Sequence, residues 1–167
     1  EDRILGVYED GDGIVWAGTL AGGLCRLDPA TGDVRRYREK DGLPNDTVYG
    51  MLEDAAGYLW ISTNHGIACF DRRAGTFKKY DVRDGLQSNE FDSGAYFKSP
   101  SGEMFFGGVN GVTAFFPEDV VDNPYMPPVV FTSFTQAGEP VADGLAPESV
   151  RGLTLRWPDN SLEFEFA

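Results

Sequence analysis

The sequence predicts an all-β fold of short antiparallel strands, and three observations support this prediction. Turn-forming residues are frequent, since the 167 residues include 21 Gly and 10 Pro. Aromatic residues make up 13% of the chain, and apolar runs are short, a combination typical of strands joined by tight turns. The chain also repeats itself about every 44 residues, and the content of these repeats indicates the architecture.

The repeats are recognisable residue by residue. Residues 12–19 (DGIVWAGT) align with residues 56–63 (AGYLWIST), and their two tryptophans stand 44 positions apart. Residues 37–44 (YREKDGLP) align with residues 80–87 (YDVRDGLQ) at an offset of 43. A third, less similar copy of the pattern ends at residue 115. A repeat of this length is typical of propeller blades and also of helical HEAT or armadillo units.

The second repeat decides between these architectures. Glycine-containing turns divide it at short intervals, which leaves no room for long helices. Four short antiparallel strands per repeat make a propeller blade, and the only helical turn that the sequence predicts lies at residues 117–120. The four predicted strands are Val48–Glu53, Leu59–Thr63, residues 67–71 and Thr76–Tyr80.

The composition changes after the third repeat. Residues 121–128 contain three prolines and are predicted to be a linker. Strands are predicted at residues 129–134, 152–157 and 162–166, so a second β domain begins here. The predicted organisation is therefore propeller blades over residues 1–120 with repeats of about 1–43, 44–86 and 87–117, then the linker at 121–128, then the second domain at 129–167.

The charge of the chain argues against several kinds of partner. With 27 Asp and Glu against 14 Lys and Arg, the net charge is −13, and a domain this acidic repels polyanions such as nucleic acids. No apolar run approaches the roughly 18 residues of a membrane span. A single histidine, His65, and two cysteines without a CxxC pair disfavour a zinc site. We therefore expect no metal and no cofactor.

Nearly the whole chain resembles one known family. Residues 57–63 (GYLWIST), followed by Gly66, resemble the two-component regulator propeller repeat, and residues 89–117 resemble the last repeat of that family. The tail, residues 127–134 and 160–167, is similar to the opening of the Y_Y_Y domain, an Ig-like β-sandwich. The resemblance implies propeller blades followed by the start of such a sandwich.

In that family these elements form the periplasmic sensor region of hybrid two-component histidine kinases, and many members sense oligosaccharides. The resemblance therefore implies a non-enzymatic sensor fragment that senses an oligosaccharide and passes the signal through the sandwich to the membrane. The expected location is the periplasm, and the expected partners are the oligosaccharide and the rest of the sensor chain. A propeller that serves as a protein-interaction scaffold, without a small-molecule ligand, is the alternative.

Six residues are candidates for structural or ligand-binding roles. Trp16 and Trp60 recur at one repeat position, where the third copy has Phe105, and a residue repeated in every blade is expected in the core between blades. Varied polar residues in equivalent turns can serve recognition, because propeller loops gather on shared faces. The predicted ligand-binding residues are Asn64, His65 and Asn110.

Two charged clusters receive structural interpretations. Residues 9–13 (EDGDG) look like a calcium loop, but the bidentate Glu that an EF-hand needs is missing at its position, so we predict an ordinary hairpin turn. Arg72 and Arg73, with Lys78 and Lys79, are predicted to lie on a solvated blade edge. No pair of carboxyl groups stands out as suited to glycoside hydrolysis, and we expect no enzymatic activity.

The repeat alignment also predicts two features of assembly. Cys25 aligns with Ala68, and Cys69 aligns with Arg26, so the two thiols point to opposite faces of their sheets and should not form a disulfide. Three blades cannot close a propeller, so we expect open blade edges at both ends and self-association through them.

Overall fold

The computed structural model describes residues 3–121, 131–136, 139–140 and 161–166. The chain divides into two compact units, Glu1–Val121 and Asp122–Ala167. Strands dominate the described part of both units, so the predicted all-β class is confirmed.

The first unit contains three antiparallel sheets, which we call blades 1, 2 and 3 in chain order. Blade 1 comprises β1 (Ile4–Glu9), β2 (Val15–Thr19), β3 (Leu24–Leu27) and β4 (Val34–Tyr37). Blade 2 comprises β5 (Val48–Glu53), β6 (Leu59–Thr63), β7 (Gly66–Asp71) and β8 (Thr76–Tyr80). Blade 3 comprises β9 (Phe91–Lys98), β10 (Met104–Gly108) and β11 (Gly111–Phe115). Consecutive strands are neighbours in each sheet, which is the meander of a propeller blade, and the four strands predicted for the second repeat are all present.

The prediction that residues 117–120 hold the only helical turn is wrong. Two further 3-10 turns, Glu39–Asp41 and Val82–Asp84, follow the last strands of blades 1 and 2. In each turn the final Asp accepts a hydrogen bond from the backbone N–H just before the turn. The next residue is a glycine with positive φ (108° at Gly42, 99° at Gly85), a conformation that ends a turn. The repeated Asp-Gly pair therefore encodes a capped turn.

The blades pack face to face around two apolar cores. The first core contains Trp16 of blade 1, and the second contains Phe106 of blade 3. Side chains alternate along β6, so that Leu59 and Ile61 join the first core while Trp60 joins the second. Blade 2 therefore contributes one face to each core.

The strand register confirms the cysteine prediction. Cys25 lies opposite Ala17 in blade 1, whereas Cys69 lies opposite Trp60 in blade 2. Trp60 is equivalent to Trp16, and Trp16 points to the face opposite that of its neighbour Ala17. The two cysteines, which share the faces of Ala17 and Trp60, therefore occupy opposite faces of their sheets. Both thiols are free.

Blades 1 and 3 each leave one sheet face uncovered. On blade 1, Ile4, Val7 and Val34 are each more than half exposed. On blade 3, Phe97 and Val112 are likewise more than half exposed. The open surfaces at the two ends of the unit are therefore sheet faces, and not the strand edges that the repeat count predicts. Self-association through these surfaces stays a prediction.

The described part of the second unit is one antiparallel sheet. Its strands are β12 (Phe131–Gln136), β13 (Glu139–Pro140) and β14 (Leu162–Phe166), in the order β13-β12-β14. The strand predicted at residues 129–134 is present in its described part as Phe131–Gln136. Residues 129 and 130 and the strand predicted at 152–157 lie outside the described residues. The Ig-like sandwich and the linker boundaries stay predictions.

Candidate functional site

The predicted ligand-binding residues lie on equivalent turns of two blades. Asn64 and His65 form the turn between β6 and β7, and Asn110 lies in the turn between β10 and β11. All three residues are exposed. The hydroxyl of Tyr49 donates to Asn64 Oδ1 at 3.0 Å, and the backbone N–H of Asn110 donates to Gln87 Oε1 at 2.9 Å. These contacts fix the turns in place, and the ligand-binding role of the three residues stays a prediction.

The three aromatic residues of the repeat position have different environments. Trp16 and Trp60 are 2% and 4% exposed and lie in the two cores. Phe105 is only half-buried and packs against Phe97, with 6.2 Å between ring centroids. The expectation that Phe105 is a core residue is wrong for this chain. Side chains alternate along β10, so Phe105 points away from the second core and toward the uncovered face of blade 3.

A buried carboxylate organises the first hairpin turn of blade 1. Asp10 accepts hydrogen bonds from the backbone N–H groups of Asp12 and Ile14, both at 3.0 Å, and from the indole Nε1 of Trp16 at 2.8 Å. Arg72 donates to the same carboxylate. Burial by itself raises the pKa of Asp10, but these hydrogen bonds outweigh it and leave the pKa below its ordinary value of 3.8. The predicted hairpin turn is confirmed, with a structural role for its acid.

Blade 2 repeats this arrangement. Asp54 accepts from two backbone N–H groups of its turn and from Trp60 Nε1, each at 2.9 Å. In blade 3 the equivalent positions hold Ser99 and Phe105. The Phe105 ring has no N–H group that could donate to the acid position. The spacing of six residues between acid and tryptophan is the same in both repeats, and this spacing is the sequence signal for the structural role of the two acids.

Arg72 joins blade 1 to blade 2. Its guanidinium donates to Asp10 of blade 1 and to Glu53 of blade 2, and its Nε donates to the carbonyl of Gly57 at 2.9 Å. The hydroxyl of Tyr8, on blade 1, donates to the other oxygen of Glu53. Burial, followed by the Glu53 carboxylate, raises the pKa of Tyr8. The Arg72 side chain is only 18% exposed, so the prediction of a solvated edge is wrong for this residue.

A cavity of about 330 Å³ lies beside this network, between blades 1 and 2. We call it the arginine cavity, because four arginines line it. Blade 1 contributes the β1–β2 turn and the side chains of β3 and β4, and blade 2 contributes the turns that follow β5 and β7. The lining residues that matter for its chemistry are Arg26, Arg35, Arg72, Arg73, Asp10, Asp12 and Tyr37.

The strand register explains why two of these arginines face blade 2. Trp16 lies opposite Arg26, and Arg26 lies opposite Arg35, so the three side chains form one row across β2, β3 and β4. Trp16 faces blade 2, and its row therefore does so too. The Arg35 guanidinium lies over the Tyr37 ring, 4.6 Å from its centroid. No linear motif marks this cavity, because its two sides are far apart in sequence.

Comparison with known proteins finds similarity to two-component signalling proteins. Residues 42–65 match the two component regulator propeller family. The Histidine kinase P4 of Formosa agariphila is 33% identical over 106 residues, which cover 64% of this chain and 8% of that protein. The chain thus spans a small part of the curated relative it matches. These findings confirm the resemblance to two-component regulator propellers.

Solved structures extend the likeness along the chain. The extracellular domain of the putative hybrid two component system BT3049 from B. thetaiotaomicron is 28% identical, with a TM-score of 0.72, and the match covers 98% of this chain and 23% of that one. A virginiamycin B lyase from Staphylococcus aureus matches 70% of the chain and 39% of its own at 17% identity, with a TM-score of 0.56, and this likeness shows the fold alone. None of the helices in the described residues is long and apolar enough to cross a membrane.

Proposed function

We propose that this chain is a non-enzymatic part of the extracytoplasmic sensor region of a hybrid two-component histidine kinase. In this proposal the region binds an oligosaccharide in the periplasm and passes the signal through the sandwich domain to the membrane. The observation that carries the proposal is the match of 98% of the chain, at 28% identity, to the extracellular domain of a hybrid two component system.

The geometry of the blades supports a binding role. Two apolar cores hold the blades together, while Asn64, His65 and Asn110 lie on exposed turns at the same end of successive sheets. A rigid scaffold that presents variable polar turns is the usual arrangement of a recognition surface. The lyases that share this fold are 17–18% identical to the chain, so their activity gives no support for an enzymatic role here.

The proposal is tested by measuring saccharide binding to the complete extracytoplasmic region that contains this chain. A glycan array followed by isothermal titration calorimetry should find an oligosaccharide ligand. Replacing Asn64 and Asn110 by alanine should weaken its binding, whereas replacing the exposed Arg83, which pairs with Asp81, should not. Absence of binding to every saccharide would count against the proposal and favour the protein-interaction scaffold, which a pull-down from periplasmic extract would then detect.

A further inference from the structure

The arginine cavity is basic in a protein that is strongly acidic. Four of the 14 Lys and Arg residues line this one cavity, although the net charge is −13. Arginine presents a planar group of N–H donors that matches the oxygens of carboxylates, sulfates and phosphates. The question is which of the four arginines already have anionic partners.

The four arginines differ in how far neighbouring carboxylates neutralise their charge. Arg72 is fully engaged with Asp10 and Glu53. Arg26 has Asp28 at 3.8 Å, a long contact for an ion pair. Arg35 and Arg73 form no ion pair with the carboxylates of the described residues, and each retains its full set of donors.

These two arginines come from opposite walls of the cavity. Arg35 belongs to β4 of blade 1 and lies over the ring of Tyr37, and Arg73 belongs to the turn after β7 of blade 2. The ring contact restricts the Arg35 side chain before any ligand binds, which lowers the entropy lost on binding. The cavity volume of about 330 Å³ lies within the range of small-molecule sites, about 300–1,000 Å³.

The next blade junction shows that the cluster is not a by-product of the repeat. Between blades 2 and 3, the positions equivalent to Arg26 and Arg35 hold Cys69 and Lys78. The positions equivalent to Arg72 and Arg73 hold Pro117 and Glu118. Of the two blade junctions that the structure describes, only the first therefore contains the four arginines.

We propose that the arginine cavity binds the oxyanion of an acidic sugar residue, a carboxylate or a sulfate ester, between Arg35 and Arg73. Arg26 adds a third positive charge, and the Arg72 network forms a fixed wall. The cavity lies among the turns after β1, β5 and β7, at the end of the sheets opposite the turns of Asn64 and Asn110. This site is therefore distinct from the predicted ligand-binding turns. The inference depends on the proposed function in one respect, namely that the bound anion belongs to a sugar.

The test is isothermal titration calorimetry on the full natural protein that contains these residues. The probes are glucuronate, glucose 6-sulfate, neutral glucose and inorganic sulfate. Arg35→Ala with Arg73→Ala is the test variant, and Lys79→Ala with Arg83→Ala, which removes two positive charges outside the cavity, is the control. Thermal melting of both variants checks that they fold, which we expect because the replaced side chains are exposed.

At least one of the two acidic sugars should bind tenfold or more tightly than glucose. The test variant should lose that preference by tenfold or more, since charge-assisted hydrogen bonds are lost, and the control should keep it. Equal loss in both variants, or equal binding of glucose, would overturn the inference. Binding of inorganic sulfate as tight as that of both acidic sugars would overturn the assignment to a sugar. If neutral oligosaccharides bind and acidic sugars do not, this inference fails while the proposed function stands.

Discussion

The two blade junctions of this chain have the same architecture and different chemistry. Each places a tryptophan from the second strand of one blade against the next blade, and each fixes that tryptophan by a hydrogen bond to an acid six residues earlier. At the second junction, aromatic rings pack around Trp60, with Phe115 at 4.8 Å and Tyr80 at 5.5 Å between centroids. At the first, the polar network around Arg72 and the arginine cavity lie beside the apolar core.

The contrast separates the residues that build the blades from the residues that give each junction its own chemistry. Residues that recur between repeats, such as the paired Asp and Trp, build the blade and its packing. Residues that change between repeats, such as Arg26 against Cys69, give each junction its own surface. Substitutions at matched positions of the two junctions, or at neighbouring residues of one junction, test this division.

Removal of the tryptophan from the second junction should have the largest effect. Trp60→Ala should lower the free energy of unfolding by about 3–5 kcal/mol, because Trp60 is buried in the second core and its removal leaves a cavity there. Phe105→Ala is the matched control: Phe105 occupies the same repeat position but is half-buried on an uncovered face, and its loss should cost about 1 kcal/mol or less. Urea denaturation measures both. A cost for Phe105→Ala equal to that for Trp60→Ala would contradict the assignment of faces.

Removal of Arg72 from the first junction should have the next largest effect. Arg72→Ala should cost about 2–3 kcal/mol, because it leaves two carboxylates near one another without their shared cation. Its neighbour Arg73 lies on the same turn, is exposed and forms no ion pair with the described carboxylates, so Arg73→Ala should change the stability by less than about 0.5 kcal/mol. Thermal or urea unfolding distinguishes them. Similar costs for the two would mean that the polar network does not stabilise the junction.

Acid should weaken the first junction through Asp10. Its pKa in the folded state is lower than the ordinary value of 3.8, so the stability that it contributes is present above that value and is lost as the pH falls through the folded pKa. Asp10→Asn should be less stable than wild type at neutral pH, since its amide places a donor among donors. The two proteins should converge as unfolding is measured down to about pH 2. Asp12→Asn, which removes the same charge at an exposed position, is the control. If the stability of this control also differs from wild type at neutral pH and converges with it in acid, the effect comes from overall charge and not from Asp10.

Much of this fold could be predicted from the sequence because its determinants are local. Glycine-containing turns separate β5 to β8, and the one-residue difference between Cys25 and Cys69 in the repeat alignment places the two thiols on opposite faces. The Asp10–Trp16 spacing was equally local and readable. The bond from Arg72 to Asp10 spans 62 positions, however, and no period or motif connects the two residues. Its existence depends on how two blades stack, and so does the arginine cavity.

The smallest expected effect concerns the thiol that replaces an arginine at the second junction. Burial raises the pKa of Cys69 to about 11, with the Asp54 carboxylate adding to the shift. Because the pKa of Cys69 is about 11 and not the ordinary 9.0, the thiolate fraction at mildly alkaline pH is about 100-fold smaller. In a Cys25→Ser background, iodoacetamide should therefore label the native protein slowly and the urea-unfolded protein rapidly, as mass spectrometry would show. Equally fast labelling in both states would mean that the second junction opens readily, and it would remove the contrast between a tightly packed junction and one that contains a polar cavity.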